Sequence, residues 1–187
     1  MGLTVHRLES SRHPDFFRLH TEANGCGWCF CVAWWVPTWD GWGDRTAEVN
    51  RALRLALFDQ GQDDGYLLYD DAEPVGWTQV GPRDRLAKLV AEYRLAQEPR
   101  VWAITCLLLA PHVRGRGWAR LLLRELLLDL ARRGIEVVEA YPRRGQGLDA
   151  GAVWTGPEAL FVELGFELAQ DHPRRPRYRR SLPSIGA

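Results

Sequence analysis

The chain has 187 residues, 46% hydrophobic and 26% charged, which fits one soluble globular domain and excludes a disordered or membrane-embedded chain. Lys+Arg and Asp+Glu both total 24, so no net field favours a nucleic acid or an acidic membrane as partner. The opening MGLTVHRLES lacks the apolar run of a signal peptide, and the four cysteines read as reduced thiols, so a cytoplasmic protein is expected.

Thr4–Leu8 reads as a short strand. HPDFFRLHTEA follows as a helix, with Pro14 in its first turn and Phe16, Phe17 and Leu19 to bury. CGWCFCVAWWV is aromatic and β-branched, which predicts a strand over about Trp28–Val36. PTWDGWG is a turn cluster, and DRTAEVNRALRLALFDQG is a helix with Val49, Leu53, Ala56 and Leu57 at helical spacing. GYLLYDDAEPVGWTQVG predicts a hairpin turning at Asp70–Glu73, and PRDRLAKLVAEYRLAQ an amphipathic helix.

VWAITCLLLA, Val101–Leu109 with its flank, is apolar almost throughout, as a strand covered on both faces is. The turn PHVRGRG leads into a helix from Trp118 to about Arg133, ended by Gly134. IEVVEAYP is a strand stopped by Pro142, PEALFVELG a short helix, and FELAQDHPRRPRYRRSL a closing hairpin. Alternating strands and helices with hairpins at each end make an α/β protein with a mixed sheet. No linker divides it, so one domain over residues 1–187 is expected.

The stretch VRGRGWARLLL carries the functional signal. A buried strand delivers the chain to a glycine turn, where the backbone can approach a ligand because no Cβ intervenes. A helix starts at once and adds unpaired N–H donors and the positive end of its dipole, a cradle for a pyrophosphate. GRGWAR lacks the third glycine of a dinucleotide fingerprint and the Gly-Lys-Ser/Thr of a Walker loop, so neither nucleotide reading stands. A plain turn feeding a core helix is the alternative.

LLLAPHVRGRGWARLLLRELL resembles the acetyl-CoA-binding motif of the GNAT N-acetyltransferase superfamily, Arg/Gln-x-x-Gly-x-Gly/Ala, with Arg114, Gly117 and Ala119 at its positions. FVELGF resembles the same superfamily's Tyr-x-x-Leu-Gly-Phe helix end. The Trp/Cys stretch and Glu-Ala-Tyr-Pro are similar to a bacterial subgroup of it. The resemblance implies a mixed, mostly antiparallel sheet flanked by helices, with a splayed central strand pair. It also implies that the backbone of Arg114, Gly115, Arg116, Gly117, Trp118 and Ala119 holds the CoA pyrophosphate. Backbone near Leu107 and Leu109 would pair with the pantetheine arm, and an amine would attack the acetyl group directly. The implied function is acetyl-CoA-dependent transfer to a primary amine, expected to be that of a small molecule. The alternatives are a peptide or protein N-terminus, or a fold that binds CoA without turnover. A homodimer is a further expectation of the resemblance.

Direct transfer needs an uncharged amine, a donor to the oxyanion and an acid for the departing thiolate. Phe161 stands where many relatives have a proton-donating tyrosine, and Ala103 where some carry a glutamate base. Tyr141 and Glu139 are the substitutes: Val137, Glu139 and Tyr141 alternate onto one face of a strand, with Tyr141 at its end. Glu139 would take the amine proton and Tyr141 would protonate the thiolate. Of the nine tryptophans, Trp34, Trp35, Trp39, Trp77 and Trp154 are expected to line the acceptor site, where aromatic rings suit an apolar or cationic amine. Cys26, Cys29 and Cys31 have part of a metal site's spacing but no second Cys/His pair nearby, so packing is expected and no metal. RRPRYRR reads as a solvated edge strand rather than a nucleic-acid patch.

Overall fold

The apolar segment Val101–Leu109 is the central strand, β4, of a seven-stranded sheet in the computed structural model, which describes residues 2–22, 27–149 and 151–183. The other strands are β1 (Leu3–Arg7), β2 (Tyr66–Asp70), β3 (Glu73–Pro82), β5 (Val137–Ala140), β6 (Glu167–Gln170) and β7 (Arg177–Ser181). They are ordered β1-β2-β3-β4-β5-β7-β6, and every neighbouring pair is antiparallel except β4–β5. The helices are α1 (His13–Glu22), α2 (Ala47–Asp59), α3 (Ala87–Tyr93), α4 (Trp118–Arg132) and α5 (Glu158–Glu163). Among the described residues no helix is long and apolar enough to cross a membrane.

The parallel pair opens a cleft. β4 and β5 pair only from Val101↔Val137 to Ile104↔Ala140. β5 ends there, because Pro142 has no N–H to extend the ladder, while β4 continues to Leu109. This is the expected splay. α4 buries Leu122, Leu123, Leu126 and Leu130 fully, one face of the helix expected there.

The expected strand over Trp28–Val36 does not form: this segment is a series of turns, and Phe30 and Cys31 have φ of 43° and 57°. The reason lies on α2, whose buried face differs from the expected one. Val49 is 49% exposed, while Asn50 and Arg54 point inward. Asn50 Nδ2 donates to the Trp28 carbonyl (2.8 Å), and Arg54 donates to the carbonyls of Phe30 (3.0 Å) and Cys31 (2.5 Å). Those carbonyls are thus satisfied by side chains, and the β-prone segment needs no sheet neighbour. Cys26 lies outside the described residues. The helix expected over residues 82–97 is shorter too, a 3-10 turn (Arg83–Arg85) and then α3.

Candidate active site

The turn between β4 and α4 is built as a cradle. Pro111–Val113 forms a 3-10 turn anchored by the buried Val113. Gly115 and Gly117 then take φ of 76° and 78°, the left-handed region that glycine enters without penalty. Gly117 caps α4 without a side-chain bond. Among the described residues no hydrogen bond uses the backbone N–H groups of Gly115, Arg116, Gly117, Trp118 or Ala119. A Cβ on Gly115 would meet nothing within 4 Å, so the approach is open. Five free donors at a helix N-terminus fit an anionic group such as a pyrophosphate. Arg114 is exposed and folds back along the chain, its Nε donating to the Leu109 carbonyl (3.0 Å), and the Arg116 guanidinium lies over the Trp118 ring at 5.6 Å.

From Arg114 and Ala119 a cleft of about 560 Å3 runs along the free edge of β4 to a wall of tryptophans. Leu107 and Leu109 both line it. The edge at Leu107 is not free, however. Its N–H donates to the Trp154 carbonyl (2.8 Å), so the loop before α5 already occupies the place expected for a pantetheine amide. Gly156, at φ 95°, lets that loop come so close: a Cβ there would lie 2.7 Å from the Phe161 ring and 3.4 Å from Leu107. Phe161, where a tyrosine donor was sought, is fully buried with its edge against Phe166.

The five tryptophans divide. Trp34, Trp39 and Trp154 line the cleft, joined by Trp28 and Trp42. Trp77 is buried in the core against Phe16 instead (ring centroids 4.8 Å apart) and touches no part of the cleft. Trp35 also lies behind the wall: with the Gln79 amide turned as its neighbours require, Trp35 Nε1 donates to the Gln79 side-chain oxygen (2.7 Å) and the amide nitrogen donates to the Cys31 carbonyl. The sequence offered no sign of Lys88, the chain's only lysine. Its ammonium sits 3.4 Å from the centroid of the Trp39 ring and within 6 Å of the Trp34 and Trp42 rings. Burial pulls it down from 10.5 to about 8, against the stabilising ring faces.

Glu139 and Tyr141 meet, but not as an open acid–base pair. The Tyr141 hydroxyl donates to Glu139 Oε2 (2.5 Å), which also accepts from Arg83 (3.2 Å). Oε1 accepts from Arg177 (2.5 Å) and Arg179 (3.3 Å). Glu139 has no exposed surface and does not reach the cleft, whereas Tyr141 lines it. With three guanidinium groups on its two oxygens and no surface in the cleft, Glu139 has an orienting place rather than the expected base position. Burial and the Glu139 charge push the Tyr141 phenol well above its ordinary value, so it stays protonated. The arginines of RRPRYRR are spent in the same way: Arg175 pairs with Glu92, and Arg179 also with Glu98 (2.8 Å).

The cleft wall also holds His20, Cys29, Cys31 and Cys106. Cys106 lies on β4, but His20 on α1 carries no motif that joins it to the cysteines. Only the fold brings them together.

A glycine turn with free donors, opening at a helix N-terminus onto a cleft between splayed strands, defines the architecture of an acyl-CoA-dependent transferase. The sequence model of the Acetyltransferase (GNAT) family matches residues 28–150, and the chain belongs to that family. Acetyl-CoA is the family's acetyl donor. Among solved structures, an acetyltransferase of the GNAT family from Desulfovibrio desulfuricans superposes with a TM-score of 0.60 at 16% identity, covering 97% of this chain and 100% of that one. The ribosomal-protein-alanine N-acetyltransferase of Brucella melitensis gives 0.59 at 16% identity, over 96% and 99%. The PaiA N-acetyltransferase of Thermoplasma acidophilum, in complex with coenzyme A, gives 0.57 at 12% identity, over 97% and 99%. At these identities the likeness is one of fold. No curated protein matches the chain in sequence.

Proposed function

We propose that the chain is an N-acetyltransferase that moves the acetyl group of acetyl-CoA to the primary amine of a small molecule. The observation that carries this reading is the run of unpartnered N–H groups from Gly115 to Ala119, opening onto a tryptophan-walled cleft. Arg114 to Ala119 hold the pyrophosphate. The edge of β4 at Leu107 and Leu109 receives the pantetheine arm once the Trp154 carbonyl is exchanged for it. Trp34, Trp39 and Trp154 form the acceptor wall, and Trp35 packs in the same cluster. Their enclosure favours a compact amine over a protein N-terminus.

Tyr141 is the donor assigned to charge developing at this end of the cleft, with Glu139 as its orienting partner. Its proton now lies in the bond to Glu139, so donation to a bound acyl group requires that bond to be exchanged. Protonated amines do not attack, and no free carboxylate among the cleft-lining residues receives an amine proton.

Calorimetric titration with acetyl-CoA, with CoA and ATP as controls, tests the reading first. Binding of acetyl-CoA and CoA but not ATP is expected, followed by release of free CoA thiol when small primary amines are supplied. No binding of acetyl-CoA would remove the proposal. Turnover with N-terminal peptides alone would move the acceptor to a protein.

A further inference from the structure

Cys31 sits in a setting that plain packing does not require. It is the second of two consecutive non-glycine residues in the left-handed region, a strained backbone of the kind held only where neighbours over-determine it. Here they do. The Cys31 carbonyl accepts from Arg54 (2.5 Å) and from the Gln79 side-chain amide (2.9 Å), and its Sγ accepts from Trp77 Nε1–H (3.2 Å). Arg54 is 1% exposed and, among the described residues, has no carboxylate partner. An uncompensated buried guanidinium is costly unless an anion lies beside it.

His20 completes the arrangement. It is 2% exposed, and its Nδ1 lies 2.8 Å from the Phe16 carbonyl, which only accepts, so Nδ1 carries the proton. Nε2 is buried without a hydrogen-bond partner among the described residues, in the same cleft wall as Cys31 and Cys106. A base held in one tautomer by a carbonyl, its other nitrogen unpartnered in the wall that holds a thiol, is placed to activate a nucleophile. Burial alone pushes the Cys31 thiol up, but the Cys106 thiol, His20 and the Arg54 charge outweigh it and bring Cys31 well below the ordinary thiol range. Cys106 moves the other way, because its S–H serves the Cys31 sulfur.

We propose that Cys31 accepts the acetyl group from acetyl-CoA as a thioester, with His20 holding the proton, before an amine receives it. This rests on the acetyl-CoA reading above and supplies the base that Ala103, Phe161 and the saturated Glu139 do not. The Cys31 sulfur attacks the acetyl carbonyl carbon. The bond from that carbon to the CoA sulfur breaks, and the departing CoA thiolate takes the proton that His20 received from Cys31. An uncharged amine then attacks the Cys31 thioester. Its nitrogen–carbon bond forms, the carbon–Sγ bond breaks, the amine proton passes to His20, and Cys31 returns as the thiolate.

The test uses the whole protein and acetyl-CoA with no amine present. After acid quench, peptide mapping by mass spectrometry should find one acetyl group on Cys31, removable by neutral hydroxylamine. Labelled CoA should exchange into acetyl-CoA in the same mixture, which transfer by direct attack forbids. Cys31→Ala should lose both signals, and His20→Gln should slow exchange by about a hundredfold or more. Iodoacetamide applied to the unaltered protein below the ordinary thiol range should alkylate Cys31 first, and acetyl-CoA should prevent it, a readout that needs no variant to fold. Protein that binds acetyl-CoA but shows neither acetyl-Cys31 nor exchange overturns this inference alone, as does a label on Cys29 or Cys106. Failure to bind acetyl-CoA overturns the functional reading as well.

Discussion

The N–H of Leu107 donates to the carbonyl of Trp154 at 2.8 Å, so the loop before α5 stands in for a strand on the open edge of β4. A cofactor arm that pairs with this edge must take that hydrogen bond over. Acetyl-CoA should therefore change amide hydrogen exchange in residues 151–156, while Leu107 stays protected because one acceptor replaces another. Tight binding with unchanged exchange in that loop would mean the arm runs elsewhere.

Gly117→Trp should abolish acetyl-CoA binding by filling the cradle. The same change forces a side chain onto a φ of 78°, so a loss of about 1–2 kcal/mol in stability is expected alongside. Titration calorimetry and denaturant unfolding separate the two effects. A folded variant with native affinity would remove the cradle assignment.

Glu139→Gln is expected to act on stability more than on chemistry. It removes one of three carboxylates around the buried Arg83, which keeps Asp84 and Glu98, so a loss of about 1–3 kcal/mol is expected. Tyr141→Phe keeps the carboxylate network and should slow acetyl transfer more than it weakens acetyl-CoA binding. Unchanged turnover in Tyr141→Phe would take the phenol out of the reaction.

Lys88 sets a pH dependence with a definite sign. In the folded chain it loses its proton near pH 8, against 10.5 for the ordinary side chain. Between those values the unfolded state binds more protons, so the Lys88 contribution makes the fold more stable as pH rises. Any stability advantage of Lys88→Met over the unaltered chain should be largest below pH 8 and shrink toward pH 10.5, as read from unfolding curves at several pH values. A difference that stays flat over that range would place the ammonium in water rather than over Trp39.

The parts of the site that are local in the chain were legible in the sequence. The apolar run of β4, the two glycines and the leucine spacing of α4 each specify their conformation within a few residues, because a left-handed turn, a helix start and a buried strand are short-range matters. The glycine turn followed from them, while the splay was an expectation of the family resemblance. The segment 27–36 did not, since β-propensity measures fit to a sheet surface and here Asn50 and Arg54 captured the carbonyls first.

Tertiary structure alone decided which tryptophans face the cleft. Trp34 and Trp35 are neighbours in the chain, yet one lines the cleft and the other bonds Gln79 behind it. It also decided that Glu139 is saturated, because its three arginines come from the end of β3 and from β7, distant in sequence and joined only by sheet order. The placing of His20 and Cys31 in one cleft wall has the same origin. Composition and spacing determined the backbone frame of the glycine turn, with its unpartnered N–H groups. The protonation and reach of each side chain depend on charges and burial supplied by remote elements, and these exist only once the chain has packed.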